Sequence, residues 1–299
     1  MSSVIKVADR EIRLAGKFVR IARLHGDKYK FLEDPEPVID ALRQSRQRID
    51  LFTFMRRVPL REELLPYPME MDNLAVQSLT TFDEWWMGQL DNKTRNMIRK
   101  SAKNGVVTRA LPFDDWLVDG IWKIYNETPI RQGKRFPHYG KDRETVYREE
   151  ATHLDSSVFV GALFEERLVG FIKVVFDETG THAGIMNNVS LIEFRDKAPS
   201  NALMAEVVRI CTERGASYLT YSNFSYGKKQ RDNLSDFKSN NGFEKVDVPR
   251  YYVPLTPLGW LAFRSGLHRG FREYVPESTA AKIRNFRTAW HRRRANLGA

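Results

Sequence analysis

"RDKAPSNALMAEVVRICTERG", Arg195 to Gly215, joins a short polar turn to an amphipathic run. Pro199 at a first helical position and Gly215 just past the last periodic residue predict a helix from Pro199 to about Arg214. The turn ahead of it has the outline of a phosphate cradle, since a helix N-terminus offers unpaired N–H groups and partial positive charge to an anion. Yet Ala198 and Ser200 stand at the two places where such a turn normally carries glycine. Glycine admits positive φ and close backbone approach, so these residues forbid the tightest version of the loop, and Pro199 removes a donor. Lys197 and the Ser200 hydroxyl compensate in part. Three readings stand: an altered cofactor site, a site for another donor, or an ordinary loop before an ordinary helix.

Working outward, the period changes from 3.6 to two on the N-terminal side of this segment. Val158–Phe164, Leu168–Asp177 and Thr181–Leu191 read as a three-strand meander with turns at Glu165–Arg167 and Gly180. On the other side come a strand at Tyr218–Tyr221, a helix over Asp232–Asn240 stopped by Asn241-Gly242, and strand material from Phe243 to Leu255. Before the meander, Phe113–Asn126 predicts a helix leading into the polar and aromatic loop "NETPIRQGKRFPHYGKD".

Residues 1–75 alternate short strands with one helix. Ile12–Leu14, Phe18–Leu24, Tyr29–Leu32 and Ile49–Phe54 read as strands, Pro35–Arg46 as the helix and Met71–Leu79 as a further strand. Thr81 to Glu84 forms a capping box, and "NKTRNMIRKSAKNG" runs as a helix from an Asn92 cap to a Gly105 stop. Arg95, Arg99 and Lys103 share one face of it, either gripping phosphate or RNA or simply solvated.

Composition is globular, with 42% hydrophobic and 29% charged residues. No apolar run approaches the ~18 residues of a membrane span, no signal pattern opens the chain, and Cys211 stands alone. A cytoplasmic protein is the simple reading. The six histidines are dispersed without ligand spacing, so no metal is expected. Net charge is +10, of which Thr256–Ala299 carries nine Lys/Arg less two Glu, or +7. That tail suits an anionic partner: lipid headgroups, RNA or an acidic protein. Its stripes Trp260, Phe263, Leu267, Phe271 and Ile283, Phe286, Trp290 predict amphipathic helix, and residues 277–295 suit peripheral contact with an anionic membrane.

The order meander, turn, helix, strand, helix, strand resembles that of the GNAT acyltransferases. Arg195-Asp-Lys-Ala198-Pro-Ser200-Asn lies in register with their donor turn, and "NLSDFKSNNGFEKV" resembles their closing helix and Gly-Phe step. The basic "RNMIRKSAKNGV" and the Phe237-Lys238 pair are similar to the Fem-like, aminoacyl-transferring branch. The resemblance implies an α/β (α+β) fold of two GNAT-like halves: a degenerate half over 1–110, an acyltransferase domain over 111–255 and the basic tail over 256–299. It departs from the cell-wall Fem proteins in lacking a long helical arm within the second half.

The resemblance also implies roles. Arg195, Lys197, Ser200 and Asn201 would meet the donor, either acyl-CoA or aminoacyl-tRNA. Phe237 would flank the acceptor and Lys238 would stabilise charge at the reacting carbonyl. Backbone N–H groups of "THAGIMNNVS" would hold the oxyanion, and there Asn187, Asn188 and Ser190 break the apolar alternation. The loop "TPIRQGKRFPHYGK", 128–141, would wall the acceptor pocket, with Arg131, Tyr139 and Lys141 recognising an anionic acceptor and His138 a candidate base. Tyr221 serves either as ring wall or as core. The acceptor class implied is a small-molecule or cell-envelope-type amine, with tRNA as a possible partner. The competing reading is a non-catalytic protein that reuses the fold to bind RNA or an anionic membrane.

Overall fold

The chain starts with β1 (Ser3–Val7), β2 (Arg10–Ala15), β3 (Ile21–Leu24), α1 (Glu36–Arg43), β4 (Leu51–Met55) and β5 (Met69–Ser78). α2 (Phe82–Glu84) and α3 (Asn92–Lys103) lead to β6 (Val107–Leu111) and α4 (Asp115–Tyr125). A small ribbon of β7 (Ile130–Arg131) and β8 (Lys134–Arg135), then α5 (Arg143–Glu150), precede the meander β9 (Ser157–Phe164), β10 (Arg167–Phe176) and β11 (His182–Ser190). Last come α6 (Pro199–Glu213), β12 (Tyr218–Thr220), α7 (Asn233–Asn240), β13 (Glu244–Pro254) and α8 (Pro257–Arg264). This computed structural model describes residues 3–27, 29–59, 64–225 and 233–269.

Eleven strands make one continuous mixed sheet in the order β1-β2-β3-β4-β13-β5-β12-β11-β10-β9-β6. The seam between the halves is β5, which pairs antiparallel with β13 on one edge and with β12 on the other. Because β13 also pairs with β4, the last described strand closes onto the N-terminal half. β6 straddles the expected boundary at residue 110 and forms the far sheet edge against β9.

Alternation along β10 sorts the layers. Phe171 meets the Tyr125 ring of α4, while a side chain at Gly170 would run into Leu203 of α6. So α4 with α5 and α6 with α3 cover opposite faces. Leu117, Val118, Ile121 and Ile124 on one side, and Leu203, Met204, Val207 and Val208 on the other, are buried against the meander. A second core joins Ile12, Leu14, Ile39, Phe52, Phe54 and Tyr251 beneath α1.

Several expectations shift. Tyr29–Leu32 is not a strand: β3 is already paired on both edges, by β2 and β4, so this segment crosses a sheet face instead. There Tyr29 covers Gly184, and Phe31 meets the His182 ring edge-on. The cap of α3 is Asp91 rather than Asn92; its carboxylate accepts from Thr94 N at 2.6 Å and is held below the usual range by hydrogen bonds from the Thr94 side chain and backbone. Thr81 does cap α2, which widens into a π-helical turn at Trp85–Gln89 and buries Trp85. Two of the α3 cations are engaged with that turn, Arg95 through the Trp86 and Met87 carbonyls and Arg99 over the Trp86 ring. Helix α5 had no counterpart in the sequence reading, because only Val146 and Glu150 of it are buried and no apolar stripe announces it. No described helix is long and apolar enough to cross a membrane. The segment 277–295 assigned to membrane contact lies outside the described residues.

Candidate active site

β11 and β12 run parallel, but they pair only at His182–Gly184 against Tyr218–Thr220. Beyond Thr220 the chain stays with β5: Tyr221 N donates to Ala75 O, and Ala75 N to Ser222 O. β11 meanwhile separates. Its first four residues are buried and its last five, Met186–Ser190, are half-exposed. A wedge therefore opens between 186–190 and 221–225. At its apex Lys173 pairs with Asn187 and Val174 with Ile185, so Met186 is an extra, bulged residue left out of the ladder. A bulge of this kind frees backbone groups from strand pairing and re-aims them.

The start of α6 lies just past the end of β11. Ala198 adopts φ 52° and ψ 45° without being glycine, so the turn takes the left-handed form that its sequence argued against. That costs an L-residue roughly 1–2 kcal/mol. Pro199 has no N–H, and Asn201 N and Ala202 N both turn back to Ala198 O. The Ser200 hydroxyl lies 3.0 Å from that of Ser190, tying helix to strand. Arg195 is exposed on the preceding turn, and the Lys197 ammonium rests 4.5 Å over the Phe164 ring. Asn201 is half-buried.

The opposite wall is held from α7. Lys238 is fully buried, donates to Asn223 O and sits 4.6 Å from the Tyr221 ring centroid. The Phe237 carbonyl accepts from Asn241, whose own carbonyl receives Trp85 Nε1 at 3.0 Å and Gln77 Nε2 at 2.9 Å. The wedge thus brings together Asn188, Ser190 and Ser200 on one side with Tyr221 and Lys238 on the other.

Arg131 braces the first side. Its Nη1 donates to Ser190 O at 2.6 Å and its Nη2 to Ile124 O and Glu127 Oε2. The other Glu127 oxygen takes Ile192 N and Glu193 N. Burial lowers the Arg131 pKa; its Nε is buried without a hydrogen-bond partner, and the guanidinium lies 4.7 Å from the Phe136 ring centroid. His138 and Lys141 fall elsewhere, on the α4 face: the His138 ring lies 4.2 Å from that of Tyr125, and its Nδ1 is 3.0 Å from Lys141 Nζ. Burial and the Lys141 charge push His138 down to about 4, which makes it a weak base. Tyr139 is exposed on the loop.

Sequence reasoning missed a buried polar cluster behind the bulge. Tyr125 Oη donates to Glu150 at 2.7 Å, and Asn187 Nδ2 reaches both Glu150 oxygens at 2.9 and 3.0 Å. Lys173 donates to the Glu150 and Thr152 carbonyls, 5.0 Å from the Phe159 ring. Burial drives Lys173 down to about 8 and raises both Glu150 and Tyr125. One signal was present: Lys173 is the single charge inside the apolar run "LVGFIKVVF".

Behind Asn223 lies a cavity of about 320 Å³ lined by Arg23, Thr53, Asp72, Arg250 and Tyr252 among others. Asn223 Nδ2 donates to Asp72, and Arg250 spans Asp27 and Asp72 at 2.9 and 3.0 Å. Arg23 Nε and Thr53 Oγ1 are buried there without a hydrogen-bond partner.

No family model matches the chain, and no curated protein matches it in sequence. Solved structures do. FemX aligns at TM-score 0.59 and 11% identity, covering 87% of this chain and 90% of that one. The chain has the fold of FemX. The C-terminal domain of a candidate lysylphosphatidylglycerol synthetase from Agrobacterium fabrum gives TM-score 0.56 at 13% identity over 89% of this chain and 88% of its own. L-PGS from Bacillus licheniformis gives 0.55 at 13% identity over 85% and 83%. In this FemX-like fold the meander β9–β11, helix α6, strand β12 and helix α7 follow one another in the order read from the sequence.

Proposed function

We propose that the chain is an acyl- or aminoacyltransferase whose reaction takes place in the wedge between Met186–Ser190 and 221–225. The observation that carries this reading is the early end of β11–β12 pairing at Gly184, directly followed by the Met186 bulge. It leaves Met186–Ser190 unpaired by β12, and strand amides freed in this way would serve as preorganised donors to a tetrahedral oxyanion. A neutral amine attacks the acyl carbon, a C–N bond forms, the C–O or C–S bond to the donor breaks, and the amine proton leaves with the departing group. Lys238 fixes the facing wall and adds positive charge beside the reacting carbonyl.

The donor-poor start of α6 favours an aminoacyl-tRNA ester over acyl-CoA, whose pyrophosphate would rely on those amides. The acceptor, a small-molecule or cell-envelope-type amine, approaches through the cavity behind Asn223, where Asp27, Glu70 and Asp72 suit its ammonium form and Arg23 an anionic group. Purified chain is incubated with labelled aminoacyl-tRNA or acyl-CoA and a panel of amines, and amide product is followed. Transfer from the aminoacyl ester is expected. Failure of both donors to react, with neither raising the melting temperature, removes the proposal.

A further inference from the structure

Glu11 lies in β2, His25 directly after β3, and His153 in the connection between α5 and β9. They are far apart in sequence, and the crossing segment after β3 brings them together. One nitrogen of each imidazole and one Glu11 oxygen lie within 4.8 Å of one another. His25 Nδ1 is 3.5 Å from Glu11 Oε2, and the two imidazole centroids are 5.0 Å apart with the rings edge to face. The pair on the N-terminal half is set by backbone, since His25 N donates to Glu11 O at 2.8 Å. His153 is set by a left-handed backbone, φ 58°, and by the Tyr29 ring 5.8 Å away.

A second observation is independent of this proximity. His25 Nδ1 and His153 Nε2 are both shut off from solvent and have no hydrogen-bond partner. An unmet buried polar atom costs about 1–3 kcal/mol, a penalty that a ligand at that atom relieves. We infer that Glu11, His25 and His153 bind a divalent cation of the Zn²⁺ class, which cross-braces the N-terminal meander to the α5–β9 connection. Two imidazoles and one carboxylate suit a borderline-soft ion; Mg²⁺ and Ca²⁺ prefer oxygen throughout.

Arg13 and Lys30 stand close to these imidazoles and oppose any cation. This favours an ion with strong nitrogen bonds over one held by charge alone. Donors at roughly 2.0–2.2 Å from a tetrahedral ion are closer to one another than 4.8 Å. Glu11, on an exposed side chain, has room to swing inward and leaves water the fourth position. His153 adjoins Thr152, whose carbonyl receives Lys173, so the ion would also steady the cluster behind the bulge.

The test uses the full chain stripped with chelator and titrated calorimetrically with ZnCl₂. One site, a raised melting temperature and no response to MgCl₂ are expected. His25→Ala and His153→Ala each weaken binding at least tenfold, and Glu11→Gln weakens it several-fold. Co²⁺ added to the unmutated chain gives visible ligand-field bands that ZnCl₂ displaces, which keeps the test independent of whether the variants fold. Absence of Zn²⁺ binding by the stripped chain, or equal binding by the His25→Ala/His153→Ala double variant, overturns the inference.

Discussion

The buried ammonium of Lys238 donates to the main-chain carbonyl of Asn223 and lies 4.6 Å from the Tyr221 ring centroid. One side chain of α7 thereby sets the position of the strand end that forms half the wedge. Lys238→Met keeps the aliphatic volume and removes the donor. Stability should fall by about 1–3 kcal/mol, the cost of an unmet buried carbonyl, as read by urea denaturation. Transfer should fall at least tenfold. Unchanged turnover in a folded Lys238→Met or Lys238→Ala protein would take this residue out of the mechanism.

Gly184 is the last residue of β11 to pair with β12, and it is also where the N-terminal half crosses the sheet. A β-carbon there would lie 2.1 Å from Tyr29 Cβ and 3.1 Å from Tyr29 Cα. Backbone cannot swing aside as a side-chain tip can, so Gly184→Ala should destabilise by roughly 1–3 kcal/mol and shift the denaturation midpoint downward. A midpoint equal to wild type would mean that Tyr29 is not seated on the strand.

The elements that were legible in sequence are those whose periodicity reports a single neighbour. β9 and β10 are apolar runs bounded by turn residues, α6 carries an amphipathic stripe, and β11 is readable although Asn187, Asn188 and Ser190 break its alternation. What stayed hidden depends on partners distant in the chain. Tyr29–Leu32 alternates like a strand but finds no open edge, and α5 lacks a stripe because Val146 is its single buried aliphatic and the next inward residue is Glu150. The loop cations Arg131 and Lys141 were visible as charges. That Glu127 and Glu149 already engage them follows only from the folded geometry. Likewise the Glu11, His25 and His153 grouping has no spacing that a linear reading could detect.

His138 supplies a pH dependence of known sign. In the folded chain burial and Lys141 hold it down to about 4, against its ordinary value of 6.5. Between those values the unfolded chain binds the proton and the folded chain does not, so stability is present above about 6.5 and declines as pH falls toward 4. Melting temperature measured across this window should drop on acidification. His138→Asn should flatten part of that slope; an identical slope in the variant would show that this imidazole is not sequestered beside Tyr125.

Lys173 is the cation that faces the Glu150 carboxylate across the cluster behind the bulge, with Asn187 bonded to both carboxylate oxygens. Lys173→Met would strip that charge and also free the Glu150 and Thr152 carbonyls, for an expected loss of about 3–5 kcal/mol. Glu150→Gln alone puts an amide where Tyr125 and Asn187 both donate, and so costs less but still destabilises. If the two residues act as a unit, the double variant is less damaged than the sum of the singles, by more than the ~0.5 kcal/mol that separates independent sites. The same cycle read on transfer rate links the cluster to the wedge, since Asn187 follows the bulged Met186 directly. Additive losses in both stability and rate would uncouple the buried charges from the bulge.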